Sequence, residues 1–316
     1  MSKLAFIFPG QGSQFIGMGK DLADTFPAAR EVFQEVDDAL GENLSSLMWQ
    51  GDEAELKLTM NTQPALMAVS VAAIRAMASE TGAGLERAAF VAGHSLGEYS
   101  ALAAADAISL ADCARVLRIR GNAMQAAVPA GHGGMAALLG ATPEQADGLC
   151  ASAGTAGPCE VANDNAPGQI VISGAADAIA EACAMAKDAG IKKAVPLPVS
   201  APFHCSLMQP AADAMAEALA DINLSAPVVP VIANVEADAV IDPERIRSNL
   251  VAQVTGQVRW RDSVNFMAAQ GVSTMIEAGA GNVLSVMNRR TAKGVVGQTM
   301  GTPDDIESVA ELLENF

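Results

Sequence analysis

Short apolar runs that each end at a glycine are the feature that most limits how this 316-residue chain can fold. Residues 4–8 are apolar and are followed by Pro9 and Gly10, and residues 88–92 are followed by Gly93. Such runs are typical of buried strands that lead into loops. Helical patterns accompany them at residues 26–40, 64–78, 96–105 and 110–127. This alternation of strand and helix predicts an α/β fold with a parallel sheet.

The pattern changes between about residues 131 and 200, where we predict a smaller domain. Strand patterns at 135–139, 160–162, 169–173 and 193–199 alternate with helical patterns at 142–153 and 175–189, and a turn-rich segment, 163–168, joins the two central strands. The resulting order, βαββαβ, is that of the ferredoxin-like unit. We therefore predict a small domain over residues 130–199, inserted into a large domain formed by residues 1–129 and 200–316. Further strands are expected at 228–233 and 274–277, and a terminal helix at 305–313.

The charge of the chain argues against nucleic acid as a partner. There are 36 acidic and 19 basic side chains, for a formal net charge of −17. Such a field repels phosphate backbones, so we expect no nucleic-acid binding. A solvated acidic surface that keeps the protein soluble explains the same charge and identifies no partner.

Cysteine usage and hydropathy predict a cytoplasmic protein. The five cysteines are scattered and contain no CxxC pair, which argues against a disulfide framework and against a structural zinc site. No stretch reaches the roughly 18 uninterrupted apolar residues of a membrane span. The apolar run near the N-terminus is too short for a signal peptide.

A candidate nucleophile lies between a predicted strand and a predicted helix. Gly93-His94-Ser95-Leu96-Gly97 matches G-x-S-x-G in the strand–turn–helix context of a nucleophile elbow. Small residues on both sides of Ser95 permit a strained turn, and the helix N-terminus offers N–H groups to a developing oxyanion. A plain tight turn is the alternative. We interpret Ser95 as a nucleophile that carries an acyl group.

A serine hydroxyl needs a base, and the chain contains three histidines. His94 is adjacent to Ser95, and neighbouring side chains on a sharp turn diverge, so we expect it to fill the flank of the elbow. His132 lies in a glycine-rich segment that would hold a base poorly. His204 follows a rigid turn where the chain re-enters the large domain, and we predict that it is the base. An α/β-hydrolase would orient this histidine with an acid, for which Asp164 is the best candidate, but Asp164 falls in the predicted small domain and its role stays open.

Arg120 lies on the apolar face of the helix predicted at 110–127. Arg115 and Arg118 lie near one another on that helix, and Arg120 is turned away from them. An inward guanidinium needs an anion or several acceptors, because an unpaired buried charge is costly. It could pair with a buried acid, or it could bind a substrate carboxylate with its two-pronged fork. Beside a nucleophile elbow we favour the second alternative.

The loop after the first strand, Gly10-Gln11-Gly12-Ser13-Gln14, invites comparison with dinucleotide-binding loops. The third glycine of G-x-G-x-x-G is missing, because position 15 is Phe15. A loop in this place can instead provide one backbone N–H to an oxyanion hole, beside that of Leu96.

Seven segments, spread over nearly the whole chain, together form a recognisable set. They are residues 10–14, Thr62-Gln63-Pro64-Ala65-Leu66, Gly93-His94-Ser95-Leu96-Gly97-Glu98, Arg120-Gly121-Asn122-Ala123-Met124, residues 163–174, Ala201-Pro202-Phe203-His204 and Glu277-Ala278-Gly279-Ala280-Gly281-Asn282-Val283-Leu284. In sequence and in order they resemble the malonyl-CoA:acyl carrier protein transacylase family of fatty acid synthesis.

The resemblance implies a fold and a mechanism. The large domain would be α/β-hydrolase-like, with the ferredoxin-like domain inserted. Ser95 would be acylated by malonyl-CoA and would pass the acyl group to the phosphopantetheine thiol of acyl carrier protein, in a ping-pong course that needs no metal or other cofactor. His204 would be the base, held by the backbone carbonyl of Gln253 rather than by an acid. The backbone N–H groups of Gln11 and Leu96 would form the oxyanion hole.

The resemblance also implies the residues that bind the substrate. Arg120 would bind the malonyl carboxylate, and Phe203 would crowd branched acyl groups and favour malonyl over methylmalonyl. Many bacterial members carry a small polar residue at the position of Phe203. The further substrate contacts would be Gln63, His94, Met124 and Asn163.

Acyl carrier proteins are typically acidic, as is this chain, so docking requires a local basic patch. We hypothesise that Arg289 and Arg290 contribute to it. Isolated surface charges are the alternative for these two and for the other candidates, Lys187, Lys192, Lys193 and Lys293. A monomer is expected. The rival functions are a serine hydrolase or thioesterase, and a non-catalytic module that binds a carrier protein.

Overall fold

A computed structural model describes residues 2–314 and 316. The strands are β1 (Lys3–Phe8), β2 (Phe90–Gly93), β3 (Gly133–Leu139), β4 (Cys159–Ala166), β5 (Gln169–Ala175), β6 (Lys193–Pro196), β7 (Val231–Ile232), β8 (Ala239–Val240), β9 (Val272–Ala278) and β10 (Val296–Met300). The helices are α1 (Lys20–Thr25), α2 (Pro27–Leu40), α3 (Leu44–Gln50), α4 (Glu53–Leu56), α5 (Thr59–Thr81), α6 (Leu96–Ala104), α7 (Leu110–Ala126), α8 (Pro143–Ala153), α9 (Ala176–Met185), α10 (Gln209–Ala220), α11 (Pro243–Thr255), α12 (Trp260–Ala269), α13 (Val283–Thr291) and α14 (Pro303–Leu313).

The larger sheet is parallel except at one edge. Its order is β10-β9-β1-β2-β7-β8, and β8 is antiparallel to β7. The strands β1 and β2 are neighbours, with Phe8 opposite Gly93 at their carboxyl ends. The loop after β1 and the turn after β2 therefore leave the sheet side by side, at the edge where parallel α/β sheets bind ligands.

The smaller sheet is antiparallel, in the order β4-β5-β3-β6. The helices α8 and α9 cover one face, where Leu138, Leu149 and Ile172 are among the buried side chains of a separate core. On the other face Met135, Ala137 and Val171 line a cleft. This is the ferredoxin-like arrangement, and the predicted fold class is confirmed. The exact boundaries at 130 and 199 stay a prediction.

The prediction of α5 was wrong at its start. The helical pattern in the sequence covers residues 64–78. The helix instead begins at Thr59 and contains Pro64 in its interior. Two side chains of the first turn bond back to the preceding segment, from Asn61 to the Glu55 carbonyl (3.0 Å) and from Thr62 to the Leu56 carbonyl (2.6 Å). These bonds fix the extra turn, which carries Gln63.

The prediction of β4 was also wrong, because the turn-rich residues belong to the strand. The strand continues to Ala166 through two register shifts, and the turn is confined to Pro167 and Gly168. Val258 pairs with this irregular stretch, donating to the Ala162 carbonyl (2.8 Å) and accepting from the Asp164 N–H (3.0 Å). This pairing with a segment outside both sheets compensates for the poor strand propensity of asparagine and aspartate.

Other elements differ in extent or were not predicted. Helices α10–α13 had no counterpart among the sequence predictions, and the strand expected at 228–233 is reduced to Val231–Ile232. None of the helices among the described residues combines the length and the apolar character that a membrane span requires.

Candidate active site

Ser95 lies in a strained turn between β2 and α6. Its φ and ψ are 53° and −110°, a region that residues other than glycine rarely adopt. A Cβ at Gly93 would lie 1.9 Å from the backbone carbon of Gly97, and one at Gly97 would lie 2.3 Å from the Phe8 carbonyl oxygen. Both glycines are therefore required by close backbone contacts, and the turn has the geometry of a nucleophile elbow.

Two side chains hold the backbone of Ser95 in this conformation. The Ser95 N–H donates to Asn234 Oδ1 (2.8 Å), and the Asn234 Nδ2 donates to the Gly93 carbonyl (2.7 Å). The Ser95 carbonyl accepts from Gln253 Nε2 (3.1 Å). Satisfied backbone groups on both sides of Ser95 offset the strain of the turn.

His204 faces the hydroxyl of Ser95. Its Nε2 lies 2.7 Å from Ser95 Oγ, and its Nδ1 lies 2.9 Å from the backbone carbonyl of Gln253. Because a carbonyl only accepts, Nδ1 carries the proton and Nε2 is left to accept from the serine. Burial, reinforced by the positive charge of Arg120, lowers the pKa of His204 to about 3. The ring is therefore a neutral base at physiological pH.

Among the described residues no carboxylate contacts this base. Asp164, whose role the sequence left open, has a side chain that is 7% exposed and forms an ion pair with Arg261 at 2.7 Å. The Nδ1 of His204 has the Gln253 carbonyl as its partner, so Asp164 does not orient the histidine. His132 is exposed in a turn, where its backbone N–H donates to the Pro129 carbonyl. It does not line the cavity described below.

Arg120 is 1% exposed and lies beside the serine. Its Nη1 donates to Gln63 Oε1 (2.8 Å), and its Nη2 donates to Gln253 Oε1 (2.8 Å) and to Ser95 Oγ (3.2 Å). The guanidinium also lies over the ring of Tyr99, 5.4 Å from its centroid. Among the described residues it forms no ion pair, so the alternative of a closed pair with a buried acid is not observed.

Burial without a counter-ion leaves Arg120 ready to bind an anion. Its desolvation lowers the pKa of the guanidinium, which still remains protonated because arginine titrates far above neutrality. Neutral amide and hydroxyl oxygens compensate the charge only in part. A carboxylate that entered beside Ser95 would form charge-assisted bonds, which are stronger than those to neutral acceptors.

A cavity of about 310 Å³ lies over Ser95, between the two sheets. Ser95, Arg120 and His204 reach it from the side of the larger sheet. From the side of the smaller sheet and its continuation it is closed mainly by apolar side chains, together with the uncharged polar side chains of Asn163, Asn165 and Gln169. The other predicted site residues on its lining are Gln11, Gln63, His94, Leu96, Met124, Asn163 and Phe203.

The remaining predicted site residues lie outside this lining. Gln253 is fully buried behind the cavity and contacts Ser95, Arg120 and His204. Arg289 and Arg290 are exposed in the last turn of α13. The N-terminal half of the same helix reaches the cavity through Leu284 and Met287.

The predicted oxyanion-hole residues flank the serine. Leu96 is the first residue of α6, so its N–H has no acceptor within the helix. Gln11 lies in the loop after β1, and its side-chain amide reaches Thr59 Oγ1 at 3.4 Å. A Cβ at Gly10 would lie 2.7 Å from the His94 carbonyl oxygen, which shows how closely the loop and the elbow approach each other.

Three residues at the site were missed as functional candidates. Asn165 Oδ1 accepts from His94 Nε2 (2.8 Å), Asn234 holds the elbow, and Glu98 accepts a hydrogen bond from Gln253. Glu98 could have been found as a single acid within an otherwise apolar helix. Asn165 was assigned to a turn, and Asn234 carries no local signal.

Comparisons with known proteins agree on one family. The model of the acyl transferase domain matches residues 5–309. Malonyl CoA-acyl carrier protein transacylases are 45% identical in Bacillus subtilis, over 99% of this chain and 98% of the relative, and 43% identical in Escherichia coli, over 99% and 100%.

Solved structures give the same result. An acyl-carrier-protein-S-malonyltransferase from Bartonella henselae has a TM-score of 0.96 and 55% identity, with 99% of both chains covered. A malonyl-transacylase in complex with a type II PKS acyl-carrier protein has a TM-score of 0.95 and 40% identity, over 98% of this chain and 100% of the other. This chain therefore belongs to the acyl transferase family, among the malonyl CoA-acyl carrier protein transacylases.

Proposed function

We propose that this chain moves the malonyl group of malonyl-CoA to the phosphopantetheine thiol of an acyl carrier protein, through an ester on Ser95, in fatty acid synthesis. The observation that supports it most directly is the position of Arg120, whose Nη2 lies 3.2 Å from Ser95 Oγ. A buried guanidinium at that distance selects acyl groups that bring a carboxylate to the nucleophile.

In the first half-reaction Ser95 attacks the thioester carbonyl. The hydroxyl proton passes to His204 Nε2 as the new C–O bond forms. The backbone N–H groups of Gln11 and Leu96 donate hydrogen bonds to the carbonyl oxygen and stabilise the negative charge that develops on it. The C–S bond then breaks, and the CoA thiolate leaves with the proton held by His204. The products are malonyl-Ser95 and free CoA.

In the second half-reaction the carrier thiol takes the place of CoA. His204 accepts the thiol proton, the sulfur attacks the ester carbonyl, and Ser95 leaves as an alcohol that recovers the proton. Thioesters are consumed and formed in equal number, so the transfer is reversible. The narrow apolar cleft limits the access of water, and the hydroxyl–histidine pair lacks the acid that supports serine hydrolases.

The cavity also supports discrimination against branched acyl groups. Phe203 is half-buried, lines the cavity and directly precedes His204. A ring in this place would collide with a substituent on the carbon next to the thioester. Replacement of Phe203 by Ser is expected to increase acylation by methylmalonyl-CoA relative to malonyl-CoA, by about tenfold for one methyl group.

The decisive experiment measures the acyl group on Ser95. Incubation with malonyl-CoA should add the mass of one malonyl group to the peptide that contains Ser95, and carrier protein should remove it. The Ser95→Ala variant should form no adduct. Ser100→Ala, which changes a buried serine in α6, the helix that follows Ser95, should form it normally. Absence of the adduct from the wild type, or its rapid loss to water without carrier protein, would contradict the proposal and favour a binding module or a thioesterase.

The role of Arg120 is tested with two substrates. Loss of charge-assisted bonds in Arg120→Ala should lower acylation by malonyl-CoA by about a hundredfold, and acylation by acetyl-CoA should fall much less. Single-turnover rates with both thioesters provide the measurement. An equal loss for both substrates would show that Arg120 only supports the fold.

We also propose that the carrier protein docks on α13, through Arg289 and Arg290. Both are exposed, and among the described residues neither forms an ion pair. Reversal of both charges to Glu should raise the KM for carrier protein and leave the KM for malonyl-CoA unchanged. The control is Lys20→Glu with Lys57→Glu, which changes the net charge equally at two ion-paired lysines. If the KM for carrier protein rises no more than it does in the control, Arg289 and Arg290 do not contribute to docking.

A monomer in the cytoplasm completes the proposal. The five cysteines are all unpaired thiols, as expected in a reducing compartment. Sedimentation that reported a stable dimer would contradict the monomer.

A further inference from the structure

Glu98 is a buried acid whose partners are all at the active site. It lies in the first turn of α6, three residues after Ser95, and is 2% exposed. Its Oε2 accepts from the backbone N–H of Asn234 (3.0 Å) and from Gln253 Nε2 (2.8 Å). Among the described residues it forms no ion pair. A buried carboxyl without a direct ion pair is costly, although the nearby charge of Arg120 acts to lower its pKa, and nothing in the acyl-transfer chemistry uses the group directly.

The two partners of Glu98 are the two residues that hold the backbone of Ser95. Asn234 accepts from the Ser95 N–H, and Gln253 donates to the Ser95 carbonyl. One carboxyl oxygen therefore connects both supports of the strained elbow. This arrangement goes beyond the stabilisation of α6, because an acid that served only the helix N-terminus would need neither partner.

The contact with Gln253 also decides which way that side-chain amide points. Its Nε2 faces Glu98, and its Oε1 faces Arg120 Nη2 at 2.8 Å. In the reversed orientation two donors would meet at Arg120, two acceptors would meet at the Ser95 carbonyl, and an ionised Glu98 would likewise face an acceptor, so the reversal is excluded. The same residue holds His204 through its backbone carbonyl. Glu98 thus helps to fix the orientation of the Gln253 amide, and the oxygen of that amide in turn holds the guanidinium beside the nucleophile.

We propose that Glu98 is a positioning residue for acyl transfer: it orients the Gln253 amide so that Arg120 is held against Ser95. This inference rests on the proposed function, because it concerns how the arginine selects a carboxylate-bearing acyl group. Burial raises the pKa of Glu98 to about 7, an effect that the bonds from Asn234 and Gln253 partly oppose. One oxygen of the group accepts in both protonation states, so acceptor capacity rather than charge is what the position requires.

The test compares an apolar replacement with a polar one of similar size. Glu98→Met removes the acceptor, and Glu98→Gln keeps an oxygen that can receive both N–H groups. For Glu98→Met we expect the ratio of malonyl to acetyl acylation of Ser95 to fall by about tenfold. This is the effect of losing one hydrogen bond to a charged group, here the bond between the Gln253 amide and the Arg120 guanidinium. Glu98→Gln should retain most of the ratio. Single-turnover acylation with malonyl-CoA and acetyl-CoA measures both.

Taking the ratio separates positioning from general support of the fold. Damage to the elbow alone lowers both acylation rates and leaves their ratio unchanged, and that result with folded Glu98→Met would overturn the proposal. In a Gln253→Met background, Glu98→Met should change the ratio no further, because Glu98 acts through Gln253. A second full loss of selectivity in the double variant would also overturn it.

Two controls keep the outcome readable. If Glu98→Met does not fold, Gln253→Met alone provides the test, since it leaves Glu98 and Asn234 in place; an unchanged ratio there would equally overturn the proposal. The wild-type adduct on Ser95 is measured first. Its absence would contradict the proposed function, whereas a normal adduct with an unchanged ratio in the variants contradicts only the role of Glu98.

Discussion

The two sides of the cleft are built on different principles. On the polar side, which comprises Ser95, Arg120, His204 and Gln253, each side chain has at least one hydrogen bond to another member of the set. The apolar side comprises Met135, Ala137, Val171, Leu197 and Val199, which line the cavity from the smaller sheet and its continuation. The first side holds reacting and charged groups in fixed positions, and the second excludes water from them.

The difference shows how each side depends on the other. An apolar wall opposite a charged group lowers the local dielectric and strengthens every electrostatic interaction in the cleft. It contributes to the burial that makes His204 a neutral base and leaves Arg120 in need of an anion. Changes on the polar side should therefore abolish chemistry or the fold of the elbow, and changes on the apolar side should alter affinity.

The largest effect is expected from Gly93→Ala, in the elbow. The new Cβ would lie 1.9 Å from the backbone of Gly97, and Gly97 is itself so close to β1 that a Cβ built there would lie 2.3 Å from the Phe8 carbonyl oxygen. We expect a loss of stability of about 3 kcal/mol or more, measured by denaturant unfolding. The matched change behind the apolar side, Gly148→Ala in α8, meets no atom within 4 Å and should stabilise the protein slightly. Similar stabilities of the two variants would contradict the comparison.

A large effect is also expected at His204. His204→Gln should lower Ser95 acylation by about a thousandfold, as for other positioned bases. In the wild type, the lowered pKa of about 3 keeps the ring neutral as the pH falls, so the acylation rate should stay level from pH 8 to pH 5. An ordinary histidine would lose about tenfold for each pH unit below about 6.5. Rapid-quench acylation rates over this range distinguish the two, and a midpoint near 6.5 would show that burial does not control the base.

An intermediate effect is expected on the apolar side. Ala137→Leu extends a side chain into a cavity of about 310 Å³, and we expect kcat/KM for malonyl-CoA to fall by about tenfold. Because this wall carries no charge, the ratio of malonyl to acetyl transfer should change little. The control is Ala151→Leu on the exposed surface of α8. A change in the ratio as large as that of Arg120→Ala would remove the distinction between the two sides.

The smallest effect is expected from Asp164→Asn, which lies on β4 at the border of the two sides. Asp164 pairs with Arg261 and does not contact His204, so kcat should change by less than about threefold. If this acid oriented the histidine as in a serine hydrolase, kcat would fall by about ten thousandfold. Steady-state rates with carrier protein decide between these values.

Local patterns were enough to predict the backbone around Ser95. The elbow needs a glycine on each side of the serine and a helix that begins directly after it, and all of these are properties of residues 93–97. The inward direction of Arg120 also follows from helical spacing within α7. His204 was selected as the base by excluding the other two histidines on the properties of their local segments.

The contacts that complete the site join distant parts of the chain. Gln253 was identified through resemblance and lies on α11, a helix that the sequence patterns did not predict. Asn234 follows β7, and no property of its neighbours indicates that it holds the Ser95 N–H. Asn163 and Asn165 have the composition of a turn, yet they lie in β4, which pairs with β5, and Asn163 also forms an isolated bridge with Val258.

The sequence by itself determined the alternation of strands and helices, the inserted βαββαβ unit, the elbow and the inward arginine, because each depends on periodicity or on steric limits within a few residues. Local patterns left open whether an acid orients His204, and the structure places the Gln253 carbonyl there, as the resemblance implied. Only the tertiary structure showed that Glu98, Gln253 and Asn234 meet around Ser95. These bonds form between segments up to 158 residues apart, so their geometry depends on how the elements pack and not on any local preference.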